Sequence, residues 1–190
     1  MGQYYKPVSL DKKEYIYTHS YNSGLKLMEH SWLKNGVVNT VASLLKEGGR
    51  WFKTRIVWAG DYADDFLHLT PEQIAEYKEK EPQYNPTVYF YMGEFGLEIK
   101  PTEPKGIVGK YLVNHTKKEV VSLAGLPSDD GWVVHPLPLL TACGNNRGGG
   151  DFRGENDYVG TWAGDVISVQ DTIKGTEAAK FTKIKPDFAE

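Results

Sequence analysis

The densest run of chemistry-bearing residues is Cys143-Gly144-Asn145-Asn146-Arg147-Gly148-Gly149-Gly150-Asp151-Phe152-Arg153-Gly154. Consecutive glycines free backbone N–H groups to converge on an anion, and each guanidinium adds a planar fork of donors matched to phosphate. The ligand set expected here is Asn145, Arg147, Gly148, Gly149, Gly150, Asp151 and Arg153, with the arginines on phosphate and Asn145 and Asp151 on a ribose or base edge. The segment is neither a Walker loop nor a dinucleotide fingerprint, and no clear helix follows it. The competing reading is a tight loop packed against the rest of the chain.

A second set is His30, Asp61, Asp64 and His68. Asp64 and His68 are four apart and would share one helical face, a workable pair of first-row metal ligands. With His30 and Asp61 they would make a metal-dependent phosphoester hydrolase. No His-x-Glu, His-Glu-x-x-His or Cys-x-x-Cys spacing supports that, so the first expectation is no metal and no cofactor, with this set as the alternative. His19 and Ser20 are adjacent, so their side chains point apart and no nucleophile–base pair follows. Cys143, the lone cysteine, reads as a half-buried bystander.

Tyrosine is frequent, at 12 residues, and Tyr4, Tyr5, Tyr15, Tyr17 and Tyr21 lie close together in the sequence. On a two-sided hairpin some of them must face outward, and an exposed aromatic face is typical of a binding surface for a protein or a stacked base.

The elements that must position these residues follow from periodicity. Tyr4 to Leu10 and Glu14 to Thr18 read as a hairpin, and Lys110 to Asn114 with Glu119 to Leu123 as another. Val37, Val41, Leu44 and Leu45 fall on one helical face within 36–47, stopped by Gly48-Gly49. Residues 51–59 read as a strand. Thr70-Pro71-Glu72-Gln73 opens a helix with a capping box and Pro in its first turn. Val88 to Met92 and Leu97 to Lys100 read as a further hairpin, Val166 to Val169 as the last strand, and the chain from Lys174 onward as a frayed tail with Phe181 or Phe188 docked.

The chain also repeats itself. Trp58-Ala59-Gly60-Asp61 recurs as Trp162-Ala163-Gly164-Asp165, 104 residues on (58 to 162), and Lys12-Lys13-Glu14 recurs as Lys117-Lys118-Glu119, 105 on (12 to 117). His30 and His135 share the second spacing, and each Lys-Lys-Glu follows a Gly-x-Tyr opening. Matches in one order at one spacing predict a tandem duplication with two halves facing across a pseudo-twofold axis.

Composition excludes several classes. With 25 acidic against 22 basic residues there is no basic stripe, so duplex nucleic acid is not an expected partner. No apolar run approaches the ~20 residues of a membrane span, and the first residues carry no signal-peptide pattern. One cysteine allows no internal disulfide and fits a cytoplasmic protein.

Met1-Gly2-Gln3-Tyr4-Tyr5, the run from Gly24 to Glu29, the Gly144 to Asp151 segment and Trp162-Ala163-Gly164-Asp165 resemble a group of short, uncharacterised bacterial and phage proteins. The resemblance covers both ends of the chain but not residues 64–106. It implies a bacterial or phage accessory protein and carries over no activity.

The sequence therefore predicts an α+β fold of two β-rich, duplicated halves with helices packed on one side. The halves are 1–100 and 109–175, joined by a linker at 101–108 and followed by a tail at 176–190. The expected function is non-enzymatic binding of a host or phage protein, or of a phosphate-bearing small molecule through the Gly/Arg loop. The alternatives are the metal-dependent hydrolase and a structural phage component.

Overall fold

Most β-branched and aromatic runs form strands, and the 3.6-periodic runs form helices. A computed structural model describes residues 2–126, 128–129, 131–145, 147–154 and 156–188; Asn146 of the glycine-rich segment lies outside the described residues. In chain order the elements are β1 (Tyr5–Ser9), β2 (Glu14–Ile16), α1 (Leu27–His30), α2 (Gly36–Leu44), β3 (Thr54–Gly60), α3 (Pro71–Lys80), α4 (Val88–Phe95) and β4 (Leu97–Ile99). Then follow β5 (Tyr111–Asn114), β6 (Glu119–Ser122), β7 (Ser128–Asp129), β8 (Trp132–Val133), α5 (Pro136–Leu140), β9 (Ala142–Cys143), β10 (Val166–Gln170) and β11 (Thr182–Ile184). Short 3-10 turns occupy Thr18–Tyr21 and Glu177–Lys180. The fold is α+β, and among the described residues no helix is long and apolar enough to cross a membrane.

The main sheet runs β11-β6-β5-β10-β3-β1-β2-β4, with β9 added to β3. That order reads alike from either edge. β1 is antiparallel to β2 and β3, as β5 is to β6 and β10; β4 is parallel to β2, as β11 is to β6. The two central strands, β3 and β10, are antiparallel, as a twofold axis through the sheet requires.

Hydrogen bonds outside the ladders repeat too. Asp11 Oδ2 accepts from Arg55 N at 2.7 Å, and Thr116 Oγ1 accepts from Val166 N at 3.0 Å. Lys13 and Lys118, with φ of 51° and 56°, close the two hairpin turns, and their carbonyls accept from Leu97 N and Thr182 N. Glu14, heading β2, accepts from Trp51 Nε1 at 2.9 Å, and Glu119, heading β6, accepts from Trp162 Nε1 at 2.7 Å.

This register corrects two of the expected matches. Trp58 lies inside β3, whereas Trp162 precedes β10, so the two Trp-Ala-Gly-Asp segments are not equivalent. The counterpart of Trp162 is Trp51, because both indoles bond the glutamate that starts the hairpin's second strand; Trp58 Nε1 bonds His30 instead. His30 and His135 do not correspond either. His135 caps α5 through Nδ1, which accepts from Leu137 N, and the residue doing that for α2 is Asn35.

Alternation along the strands divides two cores. Ile56, Trp58, Ile167 and Val169 pack on one face with α1, α2 and α5 in a cluster drawn from both halves. Helices were expected on one side only, and they cover both faces. A smaller layer lies on the other face, where Val57 and Ala59 meet Tyr77 of α3 and Val88, Tyr91 and Met92 of α4. Farther along the sheet, Val113, Val120 and Ala178 make a third cluster.

Two elements differ from expectation. Residues 88–95 are a helix, not a strand: Thr87 caps it, its Oγ1 accepting from Phe90 N, and Val88, Tyr91 and Met92 fall on one buried stripe. Only Leu97–Ile99 forms a strand there, on the edge beside β2. The tail is not frayed. Its 3-10 turn and β11 pack on β6, and Phe188 meets Phe152 edge-on. The capping box at Thr70 is as expected: Thr70 Oγ1 accepts from Gln73 N, and Gln73 Oε1 accepts from Thr70 N.

Candidate functional site

The Gly/Arg loop folds back on the start of the chain. Gly2 and Gly149 form a parallel bridge, and Gly150 O accepts from Met28 N at 2.9 Å. A Cβ at Gly148 would lie 2.3 Å from that of Gln3, so the glycine permits backbone contact here. The amide of Gly148 donates to Asp151 Oδ2 at 2.9 Å, and that of Arg147 to Asn145 Oδ1 at 3.0 Å. Oriented to satisfy its surroundings, the buried Gln3 amide donates to Asp151 Oδ2 at 2.9 Å and accepts from Tyr62 N at 3.0 Å. Arg153 Nη2 donates to Gly148 O at 2.8 Å, whereas Arg147 is exposed. The Gly148 amide therefore points at the loop's own buried carboxylate, where an anion was expected, and the Arg147 amide at the Asn145 side chain. Burial, with Asp151 next, pushes the neighbouring Tyr5 hydroxyl far above its ordinary pKa.

The metal alternative is not assembled. Among the described residues no three His, Cys, Asp or Glu side chains are grouped to hold a metal ion. His30 is fully buried and uses both ring nitrogens: Nδ1 accepts from Trp58 Nε1 at 3.0 Å and Nε2 donates to Gly24 O at 3.0 Å. Burial lowers its pKa to about 4, so it is a neutral core imidazole. Asp61 Oδ1 accepts from Tyr4 N, Asp64 is exposed, and His68 sits in a turn with φ of 60°, against Gly164. Asp64 and His68 share no helix, which removes the face on which they would have met.

The aromatic surface is present. Tyr4, Lys6, Tyr15 and Tyr17 lie on the face opposite the main core, with Lys6 covered by Tyr89 of α4 and Tyr4 and Tyr17 exposed. Tyr4, Tyr17 and Tyr62 are 43%, 40% and 41% exposed. His19 stacks on Tyr17 at 4.6 Å between centroids and meets Tyr4 edge-on at 6.2 Å. Beneath them the buried Lys6 ammonium lies 3.9 Å from the Tyr89 ring centroid and 4.5 Å from that of Tyr15. Burial brings its pKa down to about 8. Asp61 borders this surface through Tyr4, and Tyr5 and Tyr21 are turned inward.

One constellation has no counterpart in the expectations. Ser168 Oγ lies 2.8 Å from His115 Nε2, and His115 Nδ1 lies 3.1 Å from Glu177 Oε1. Glu177 also pairs with Lys53 at 3.2 Å. The carboxylate can only accept, so Nδ1 carries the proton and Nε2 accepts from the serine. Burial, then Lys53, lowers the pKa of His115 against the opposing pull of Glu177. Lys53 holds the Glu177 carboxyl below its ordinary value. These residues come from a hairpin turn, a strand and the tail, so no local motif marks them. The available signal was a serine on the alternating face of Val166-Ile167-Ser168-Val169.

No protein-family model, curated protein or solved structure matches the chain.

Proposed function

We propose that the protein is a binding protein whose recognition surface is the tyrosine-rich end of the N-terminal half, and whose partner is a basic segment of another protein. The observation that carries this is the exposure of Tyr4 and Tyr17 together with Tyr62, whose turn also bears Asp61, bonded by Tyr4 N, and the exposed Asp64. Tyrosine rings offer rigid amphipathic area and a π face for a guanidinium or ammonium, while the carboxylates offer charge-assisted hydrogen bonds. The Gly/Arg loop supports the surface from behind, since Gln3 links Asp151 to the amide of Tyr62. A phosphate ligand fits the loop less well, because Asp151 already takes the Gly148 amide. The resemblance to bacterial and phage accessory proteins suits a role exercised through a partner.

Titration with an oligo-arginine peptide tests the reading. Replacing both Tyr4 and Tyr17 by alanine should weaken binding about tenfold or more, equivalent to ~1.4 kcal/mol, with an unchanged denaturation midpoint. Equal affinity in the double variant, or equal binding of oligo-glutamate, would contradict it.

A further inference from the structure

The scaffold does not require the Ser168–His115–Glu177 hydrogen-bond chain. By register, Ser168 faces Val113 on β5 as Val57 faces Val8 on β1, and His115 N bonds Val166 O as Leu10 N bonds Arg55 O. The counterparts of His115 and Ser168 are thus Leu10 and Val57, two apolar residues in the same kind of sheet. Burying a hydroxyl and an imidazole where a leucine and a valine serve the fold introduces polar groups that must then be satisfied.

We propose that Ser168, His115 and Glu177 form a hydrolytic site for carboxylic esters that carry a negative charge. The site goes beyond the binding surface and lies in the other half of the sheet. Ser168 Oγ attacks the ester carbonyl and its proton passes to His115 Nε2, while the Glu177 carboxylate holds Nδ1–H and stabilises the imidazolium. Collapse of the tetrahedral intermediate breaks the bond to the leaving alkoxide, which takes the proton from Nε2. Water then attacks the acyl-serine, giving one proton to Nε2, and the acid leaves as Ser168 recovers its own. The balance needs only ester and water.

The charge preference comes from the cleft beside His115, about 550 Å³ and lined by Lys53, His115, Lys118, Glu177, Lys180 and Phe181. Of its lysines only Lys53 is in an ion pair among the described residues, so Lys118 and Lys180 leave positive charge for an anionic substrate and the developing oxyanion. His115 is neutral near pH 7, as a general base must be. Ser168 itself is fully buried, and the Phe181 ring stands edge-on to His115 at 6.0 Å between centroids. Entry to the serine therefore passes Phe181.

The test is labelling by a fluorophosphonate, read by intact mass and peptide mapping. Serine displaces fluoride from phosphorus and its proton leaves through His115. The expected result is one adduct, on Ser168, absent in Ser168→Ala and slowed about 100-fold in His115→Gln. Glu177→Gln should slow it less, and Phe181→Ala should speed it. Labelling should be unaffected by the paired Tyr4 and Tyr17 substitutions, which separates this site from the binding surface. Absence of an adduct on the folded protein, or an adduct formed as fast in His115→Gln, overturns the proposal.

Discussion

Leu10 and Val57 in the N-terminal half stand where His115 and Ser168 stand in the C-terminal half, and the two pairs are covered differently. Over the first lie two helices, α3 and α4, which close an apolar cluster around Val8, Val57 and Met92. Over the second lies one 3-10 turn, whose Ala178 joins Val113 and Val120 in a small cluster with Phe181 packed against it, and beside it is a lysine-lined cleft. The difference separates what the sheet needs from what it permits. Strand order, turn conformation and the tryptophan–glutamate bonds are the same in both halves and belong to the scaffold. The polar chain and its open cover occur in one half and are free to serve chemistry.

The largest effects should come from the shared parts. Trp51 and Trp162 are each fully buried, so alanine at either should cost ~3–5 kcal/mol in urea unfolding, and the losses should be similar. If either substitution costs under about 1 kcal/mol, the two tryptophans are not equivalent supports.

Acid sharpens the comparison next. His30 and His135 are buried and neutral, with pKa lowered by burial to about 4 and about 3 from 6.5. Groups with depressed folded pKa bind protons more readily when unfolded. Stability is therefore intact above pH 6.5 and falls with pH below it, until the folded pKa values are passed. His135→Asn gives α5 the capping residue that α2 already has in Asn35, and should flatten the fall between pH 6 and 4, as urea midpoints would show. An unchanged slope would mean that His135 does not titrate as its burial dictates.

What was legible in the sequence was local. The Thr70 capping box, the α2 stripe and the paired Lys-Lys-Glu turns each depend on residues within a few positions, and each is where periodicity and capping rules put it. Residues 88–92 misled because tyrosine, valine and phenylalanine suit strands, whereas Thr87 and the stripe buried on Val8 and Val57 decide for a helix. The tail misled because β11 gains its place by pairing with β6, over sixty residues earlier. The tetrapeptide match pointed to the wrong pairing of tryptophans, since Trp58 and Trp162 share a tetrapeptide while Trp51 and Trp162 share the same kind of hydrogen bond to a glutamate. At the site level, the tyrosine surface was readable from composition. The chain from Ser168 to Glu177 was not, because His115 is 53 residues from one partner and 62 from the other. The glycine loop looked like an anion cradle because nothing in its sequence tells that Asp151 turns inward to fill it.

The most direct test installs the N-terminal pair in the C-terminal half. His115→Leu combined with Ser168→Val removes both ends of a part-buried hydrogen bond together. Lost besides are only the long 3.3 Å bond from Gln170 Nε2 to Ser168 Oγ and the bond from His115 to the exposed Glu177, so the change is near neutral or stabilising when shape is kept. The account predicts a double variant whose unfolding free energy is equal to or above that of the parent and whose serine labelling is lost. A double variant destabilised by several kcal/mol would contradict it, because the histidine and serine would then be holding the C-terminal half together.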